Sequence, residues 1–365
     1  MMIIFRQGMF IMSKKHIFAF LSCFIFFIGG CKNTVVNDNS DCVISDTEPS
    51  EYSGIPLISS VDDGFDCSEI KIGSSPYALT GILCLPKGVE NPPVVIMIQG
   101  SGQSDYNETI YKNTPFKDIA EGLAKQGVAS IRYNKRYYQY PETAPKNITI
   151  EDEVLNDVYQ AIDFAQQNKA TENSKIFILG HSLGGKLVPY ISHTISEVSG
   201  IISMAGTPRN LEDLILDQNI AAINALTDKT DIQKKAMKDE VEKYIKMVKD
   251  IKEGDPSLFL FNVPSSYWLS LRKINDITIY EKLDKPMLIL QGDADFQVYT
   301  EIDYKAYQDI FAGKSNVSFI LYNNLNHLFM QSAGKTDLTE YEKKGTVDEQ
   351  VIADIAEWIL QIERG

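Results

Sequence analysis

The chain reads as an α/β protein with a mostly parallel sheet covered on both faces, and three observations predict this. Short apolar runs of strand length alternate with longer stretches of helical period along most of the sequence. The central runs are apolar throughout rather than alternating, as strands buried on both faces must be. Late in the chain the alternation is interrupted by a long helical stretch, which predicts an insertion rather than another βα unit. In order, strands are expected around 68–72, 78–85 and 94–98, a helix near 116–125, a strand over 128–133 and a helix over 151–167. Further strands follow around 175–179, 200–205, 286–290 and 317–322.

The strand over 175–179 runs into Gly180-His181-Ser182-Leu183-Gly184, which fits G-x-S-x-G at a strand-to-helix junction. The flanking glycines let the chain turn sharply and leave the hydroxyl exposed at the tip. A serine hydroxyl attacks a carbonyl only if a base takes its proton, so an acid and a histidine are required further on, each after a later strand. The strand over 286–290 leads into Gly292-Asp293-Ala294-Asp295, and that over 317–322 into Asn326-His327. Both carboxylates, Asp293 and Asp295, suit the spacing. There are four histidines. His16 is in the N-terminal leader, His181 is oriented by the elbow and His193 falls on the following helix, which leaves His327 as the base. Ser182 is then the nucleophile, and the backbone N–H groups of Leu183 and Ser101 are placed to receive the negative oxygen.

At these residues the chain resembles the α/β-hydrolases, in particular bacterial esterases of the serine-aminopeptidase-like and dienelactone-hydrolase-like branches. The resemblance covers residue 67 onward. A G-x-x-D-x-x-V loop of that family matches Gly292, Asp295 and Val298, which favours Asp295 as the acid. An N-H-L-F-like segment matches Asn326 to Phe329, and Gln99 stands in Gln99-Gly100-Ser101-Gly102 where the family carries histidine. The resemblance implies an α/β-hydrolase fold with an eight-stranded, mostly parallel sheet, an inserted helical cap and a serine hydrolase activity.

The core is expected over 67–206 and 286–365, with the cap over 207–285. Within the cap, Ile232, Ala236, Val241, Ile245, Val248 and Ile251 recur at helical spacing and read as a packing face. Phe259, Tyr267 and Trp268 form a more apolar, aromatic piece. As a lid over Ser182 it would favour acyl or aryl esters over highly charged substrates; as plain cap core it would have no such effect.

The N-terminus predicts an address outside the cytoplasm. Lys14 and Lys15 precede an apolar run over 17–28 that ends at Gly29-Gly30-Cys31, a pattern resembling a bacterial lipoprotein signal over 1–30 with Cys31 lipidated. The run is short for a membrane span, which takes about 20 residues. Residues 31–66, polar at their start, read as a flexible tether. Cleavage before Cys31 would take the formal charge from −14 to −17 by removing Arg6, Lys14 and Lys15. So acidic a protein is no partner for nucleic acid. Cys42, Cys67 and Cys84 remain beyond the lipidated residue. Cys42 with Cys67 is the short-range pairing, and Cys84, in an apolar strand, reads as a buried thiol.

Other patterns carry less. Gly100-Ser101-Gly102 lacks the lysine of a phosphate loop, no spaced His or Cys set suggests a metal, and no motif calls for a cofactor. Arg132-Tyr133-Asn134-Lys135-Arg136 is a basic cluster at a strand end and reads as structural. The expected activity is carboxylic ester hydrolysis on a small-molecule substrate by a membrane-tethered enzyme. A peptidase, an acyltransferase and a non-catalytic surface binding protein are the other readings, since fold alone does not decide between them. The sequence carries no indication of oligomeric state.

Overall fold

The computed structural model describes residues 64–253 and 258–364. The predicted signal over 1–30, Cys31, Cys42 and nearly all of the predicted tether lie outside the described residues. Eight strands form one sheet in the order β1 (Phe65–Ile72), β2 (Leu79–Pro86), β4 (Ala129–Tyr133), β3 (Val94–Ile98), β5 (Ile176–His181), β6 (Val198–Met204), β9 (Met287–Gly292) and β10 (Val317–Tyr322). β1 pairs antiparallel with β2, and β2 with β4; every other neighbour is parallel. Strand β1 starts at Phe65, so the core begins slightly before the predicted boundary at 67.

The period of two along β3 builds two cores at once. Val94, Ile96 and Ile98 face one layer, which holds the helices Asn156–Gln167 and Leu183–Thr194; Val95 and Met97 face the other, under the helices Pro115–Lys125 and Glu349–Arg364. All five side chains are fully buried. Each contributes roughly 1.5–3 kcal/mol relative to exposure, which is why a strand so short can anchor the sheet centre. The predicted helix over 151–167 starts with wider π-helical turns at Glu151–Leu155, and these place Glu153 inside the protein.

Cysteine pairing differs from expectation. Cys67 and Cys84 face each other across β1 and β2 and are bonded, with Cα atoms 4.1 Å apart. This excludes the Cys42–Cys67 pairing, and Cys84 is not a free thiol. Antiparallel register decides the matter, because it sets the two residues directly opposite each other despite a separation of 17 in sequence.

Between β6 and β9 lie the helices Leu211–Ala225, Asp231–Lys249, Ser265–Ile274 and Ile277–Glu281, with a two-stranded hairpin of β7 (Phe259–Leu260) and β8 (Val263–Pro264). The second helix starts at a capping box, in which Thr230 and Gln233 satisfy each other's backbone N–H groups. Its packing face is shorter than the periodicity predicts: Val241, Ile245 and Val248 are buried, but Ile232 is 83% exposed and Ala236 is also on the surface. At its first turns the helix turns Ile232 and Ala236 to solvent.

Candidate active site

Ser182 occupies the turn between β5 and the helix Leu183–Thr194, at the carboxyl end of the central strands, where open α/β sheets bind ligands. Its backbone has φ +55° and ψ −113°, a region that residues with a Cβ rarely enter. The turn is possible because its glycines have no side chains. A Cβ on Gly180 would lie 2.2 Å from the carbonyl of Gly184, and one on Gly184 would lie 2.3 Å from the carbonyl oxygen of Ile98.

The acid and histidine loops are tied to each other before any catalytic contact. Asp293 N–H donates to Tyr322 O at 2.9 Å and Ala294 N–H to Leu325 O at 3.1 Å. Gly292 packs so closely that a Cβ there would stand 2.2 Å from Leu325 O. On this frame His327 Nδ1 lies 2.7 Å from Asp295 Oδ2. Asp295 also accepts from Gln291 Nε2 at 3.0 Å, Gln297 N–H at 2.7 Å and Val298 N–H at 3.0 Å. An acceptor so fully occupied is a carboxylate, so Nδ1 of His327 carries the proton and Nε2 is left as the basic nitrogen. Asp293 has a different position: it is exposed, and its Oδ1 accepts from Asn324 N–H at 2.6 Å.

The loop after β3 passes directly over the serine. A Cβ on Gly100 would be 3.1 Å from Ser182 Cβ and 3.6 Å from its Oγ. Gln99, at the position of the family's histidine, is buried and donates Nε2 to the carbonyls of Tyr133 and Asp105. Lys135 donates Nζ to Gly100 O at 2.7 Å and Gly102 O at 2.8 Å, and pairs with Glu153 at 2.8 Å. In a trans peptide the C=O and the following N–H point in opposite directions. Lys135 therefore holds the Gly100 carbonyl on one side and aims Ser101 N–H to the other. Leu183, first in its helix, has an N–H without an intrahelical acceptor.

The basic cluster 132–136 turns inward. Arg132 Nη1 donates to Cys84 Sγ, and Arg136 pairs with Asp157 at 2.6 Å. Sequence reasoning missed one further residue. Glu108 is buried; its Oε1 accepts from Gly100 N–H at 2.6 Å and lies 3.0 Å from His181 Nδ1. Nothing in the local pattern marks it, since it lies in a long loop between β3 and the helix Pro115–Lys125 without apolar period. Burial alone would lower the His181 pKa, but the Glu108 carboxylate, the carbonyl of His327 and the more distant Asp295 together raise it above the ordinary value.

The three aromatic cap residues separate. Trp268 is buried inside the cap, edge-on to Phe261 and Tyr267, with Nε1 donating to Leu260 O at 3.3 Å. Phe259 is 60% exposed. Tyr267 is buried and, with Gly102, Gln103 and Val263, borders a small cavity beside the loop over Ser182. The segment after β6 is also latched to the core through Lys186, on the helix following Ser182, whose Nζ donates to Arg209 O at 2.6 Å and Asn275 Oδ1 at 2.7 Å. Burial pulls the Lys186 pKa down to about 7 against the pull of Glu212 and Asp303.

Comparison with known proteins gives a concordant picture. The family described as serine aminopeptidase, S33 matches residues 112–332. Esterase EstD of Thermotoga maritima is 33% identical over 301 residues, which is 82% of this chain and 68% of that protein. Among solved structures, Est1E from Butyrivibrio proteoclasticus has a TM-score of 0.53 at 19% identity, covering 81% of this chain and 99% of its own. The Pyrococcus furiosus esterase Pf2001 has a TM-score of 0.50 at 15% identity, covering 82% and 92% respectively. At such identities these two speak for the fold alone. With a family match over more than half its length, on a sheet of this order and with a serine at this elbow, the chain belongs to the serine aminopeptidase, S33 family and has the α/β-hydrolase fold.

Proposed function

We propose that this protein is a serine hydrolase of carboxylic esters, held outside the cytoplasm by a lipid on Cys31. Ser182 Oγ attacks the ester carbonyl while His327 Nε2 takes its proton; the tetrahedral oxyanion is received by Ser101 N–H and Leu183 N–H. Collapse expels the alcohol, which takes the proton from His327, and leaves an acyl-serine. Water, deprotonated by His327, then repeats the sequence and releases the acid. Asp295 holds the imidazole in the required tautomer and stabilises the imidazolium. Each oxyanion donor is worth about 3 kcal/mol of barrier.

The observation that carries this reading is the 2.7 Å contact between His327 Nδ1 and Asp295 Oδ2 on loops that flank the serine elbow. Ester rather than amide cleavage is supported by the esterase relative, although the family's description names an aminopeptidase. A location outside the cytoplasm is supported by the Cys67–Cys84 bond, since disulfides persist in oxidising compartments.

The full-length protein is to be tested against p-nitrophenyl esters and aminoacyl p-nitroanilides, with fluorophosphonate labelling of Ser182. Turnover of esters with labelling is expected. Preferential turnover of the anilides would make it a peptidase, and absence of labelling would make it a binding protein on a hydrolase scaffold. Cys31→Ser should abolish acyl labelling and partition into detergent; if both persist, the anchor is not the lipid.

A further inference from the structure

Beside the His327–Asp295 pair the protein holds a second carboxylate and imidazole. His181 and Glu108 are both buried, and the ring of His181 lies 4.7 Å from that of His327. Both nitrogens of His181 face oxygen acceptors. Nδ1 lies 3.0 Å from Glu108 Oε1, off the ideal hydrogen-bond line, and Nε2 lies 2.9 Å from the backbone carbonyl of His327. A neutral imidazole has one N–H and one lone pair, so it would present a lone pair to one of these acceptors. Only the imidazolium turns an N–H toward both, with a hydrogen bond to the carbonyl and an ion pair with Glu108. The carboxylate likewise needs the charge: Glu108 Oε2 is buried without a hydrogen-bond partner, and an isolated buried carboxylate is costly.

The pair touches three separate loops. Glu108 Oε1 accepts the Gly100 N–H of the loop over Ser182, His181 is the residue before the nucleophile, and the carbonyl that His181 holds belongs to His327. On the next peptide, Lys135 holds the Gly100 carbonyl. The peptides on both sides of Gly100 are thus held, the first through Glu108 and the second, which carries Ser101 N–H, by Lys135. We propose that Glu108 and His181 form a buried carboxylate–imidazolium pair that positions the oxyanion loop and the histidine loop around Ser182. They act as positioning residues, through Gly100 N–H and His327 O, and touch no substrate atom. The inference rests on the serine hydrolase reading of the site.

The pair is sensitive to pH in one direction. The charged groups that face His181 are Glu108 from the oxyanion loop and, at longer range, Asp295 from the acid loop; the histidine loop brings the His327 carbonyl and, 4.7 Å away, the titratable His327 ring. A histidine whose pKa is raised by folding contributes its full stabilisation below about pH 6.5, and that contribution is lost as the pH rises through the folded value. Turnover should accordingly fall on the alkaline side as the imidazolium loses its proton.

Two measurements test this. With histidine-selective 15N labelling of the full-length protein, a pH titration of the ring signals should show His181 keeping both N–H protons to higher pH than an ordinary histidine, assigned by elimination with His16→Gln, His193→Gln and His327→Gln. A His181 midpoint at or below the ordinary value would overturn the proposal without reference to turnover. Glu108→Gln keeps an oxygen for Gly100 N–H but removes the charge. It should lower kcat for p-nitrophenyl acetate by roughly tenfold, less than the hundred- to thousandfold loss of an oxyanion donor itself, with KM little changed. Its alkaline limb should also move to lower pH. A limb left where the wild type has it would sink the inference; if the variant does not fold, the wild-type spectrum decides. Should Ser182→Ala still hydrolyse the ester, the reading of the site fails first. Should Ser182→Ala be inactive while Glu108→Gln behaves as wild type, the pair alone is refuted.

Discussion

His327 Nδ1 lies 2.7 Å from Asp295 Oδ2, while Asp293, two positions earlier, faces solvent and accepts only the backbone N–H of Asn324, at 2.6 Å, among the contacts described. One carboxylate holds the imidazole and the other holds a loop. Asp295→Asn should lower kcat on p-nitrophenyl acetate by about 10⁴-fold by presenting the wrong partner to the ring. Asp293→Asn should leave kcat near wild type and cost on the order of 1 kcal/mol of stability. Steady-state kinetics on both variants checks the ranking, and the reverse order would move the acid to Asp293.

Ser182→Ala should reduce ester turnover by about 10⁴ to 10⁶ with little loss of stability. At φ +55° any Cβ is strained, which makes a second comparison informative. Ser182→Gly should melt above Ser182→Ala, by the equivalent of about 1 kcal/mol, because glycine enters this region without a steric penalty. Equal melting temperatures would mean that the elbow is unstrained.

Removing the Cys67–Cys84 bond, as Cys67→Ser with Cys84→Ala, should cost about 3 kcal/mol, the loop-closure value for a separation of 17 residues. Thermal unfolding with and without reductant gives the same comparison on the wild type. A wild-type protein indifferent to reductant would contradict the bond, as would mass spectrometry showing free thiols at both positions.

The cap aromatics should behave differently from one another. Trp268→Ala removes a buried ring from the cap interior and should cost about 3–5 kcal/mol. Phe259→Ala, at an exposed position, should stay within about 0.5 kcal/mol of wild type and leave the ester profile alone. Tyr267 borders the cavity beside Gly102, so Tyr267→Leu should shift preference along an acyl-chain series by roughly ten- to a hundredfold. If Phe259→Ala shifts that preference and Tyr267→Leu does not, the acyl chain lies elsewhere.

The sequence by itself determined the centre of the sheet, because β3, β5 and β9 are apolar runs and such runs have no stable place except the interior. The strand expected over 317–322 and the observed β10 coincide, and the elbow at Ser182 was legible because its glycines are required by sterics that act over a few residues. His327 was singled out by elimination among four histidines, a matter of composition. Where a role depends on what comes from far along the chain, local pattern gave no answer or a wrong one. Cys67 and Cys84 pair through strand register, and Ile232 is exposed because no element packs on it. Glu108 is the clearest case: as one acid in a long polar loop it carries no signal, and only the folding of that loop over the end of β5 puts its carboxylate against Gly100 and His181. Periodicity records which face of an element is buried, whereas a buried charge is explained by its partner, and tertiary structure alone decides which partner that is.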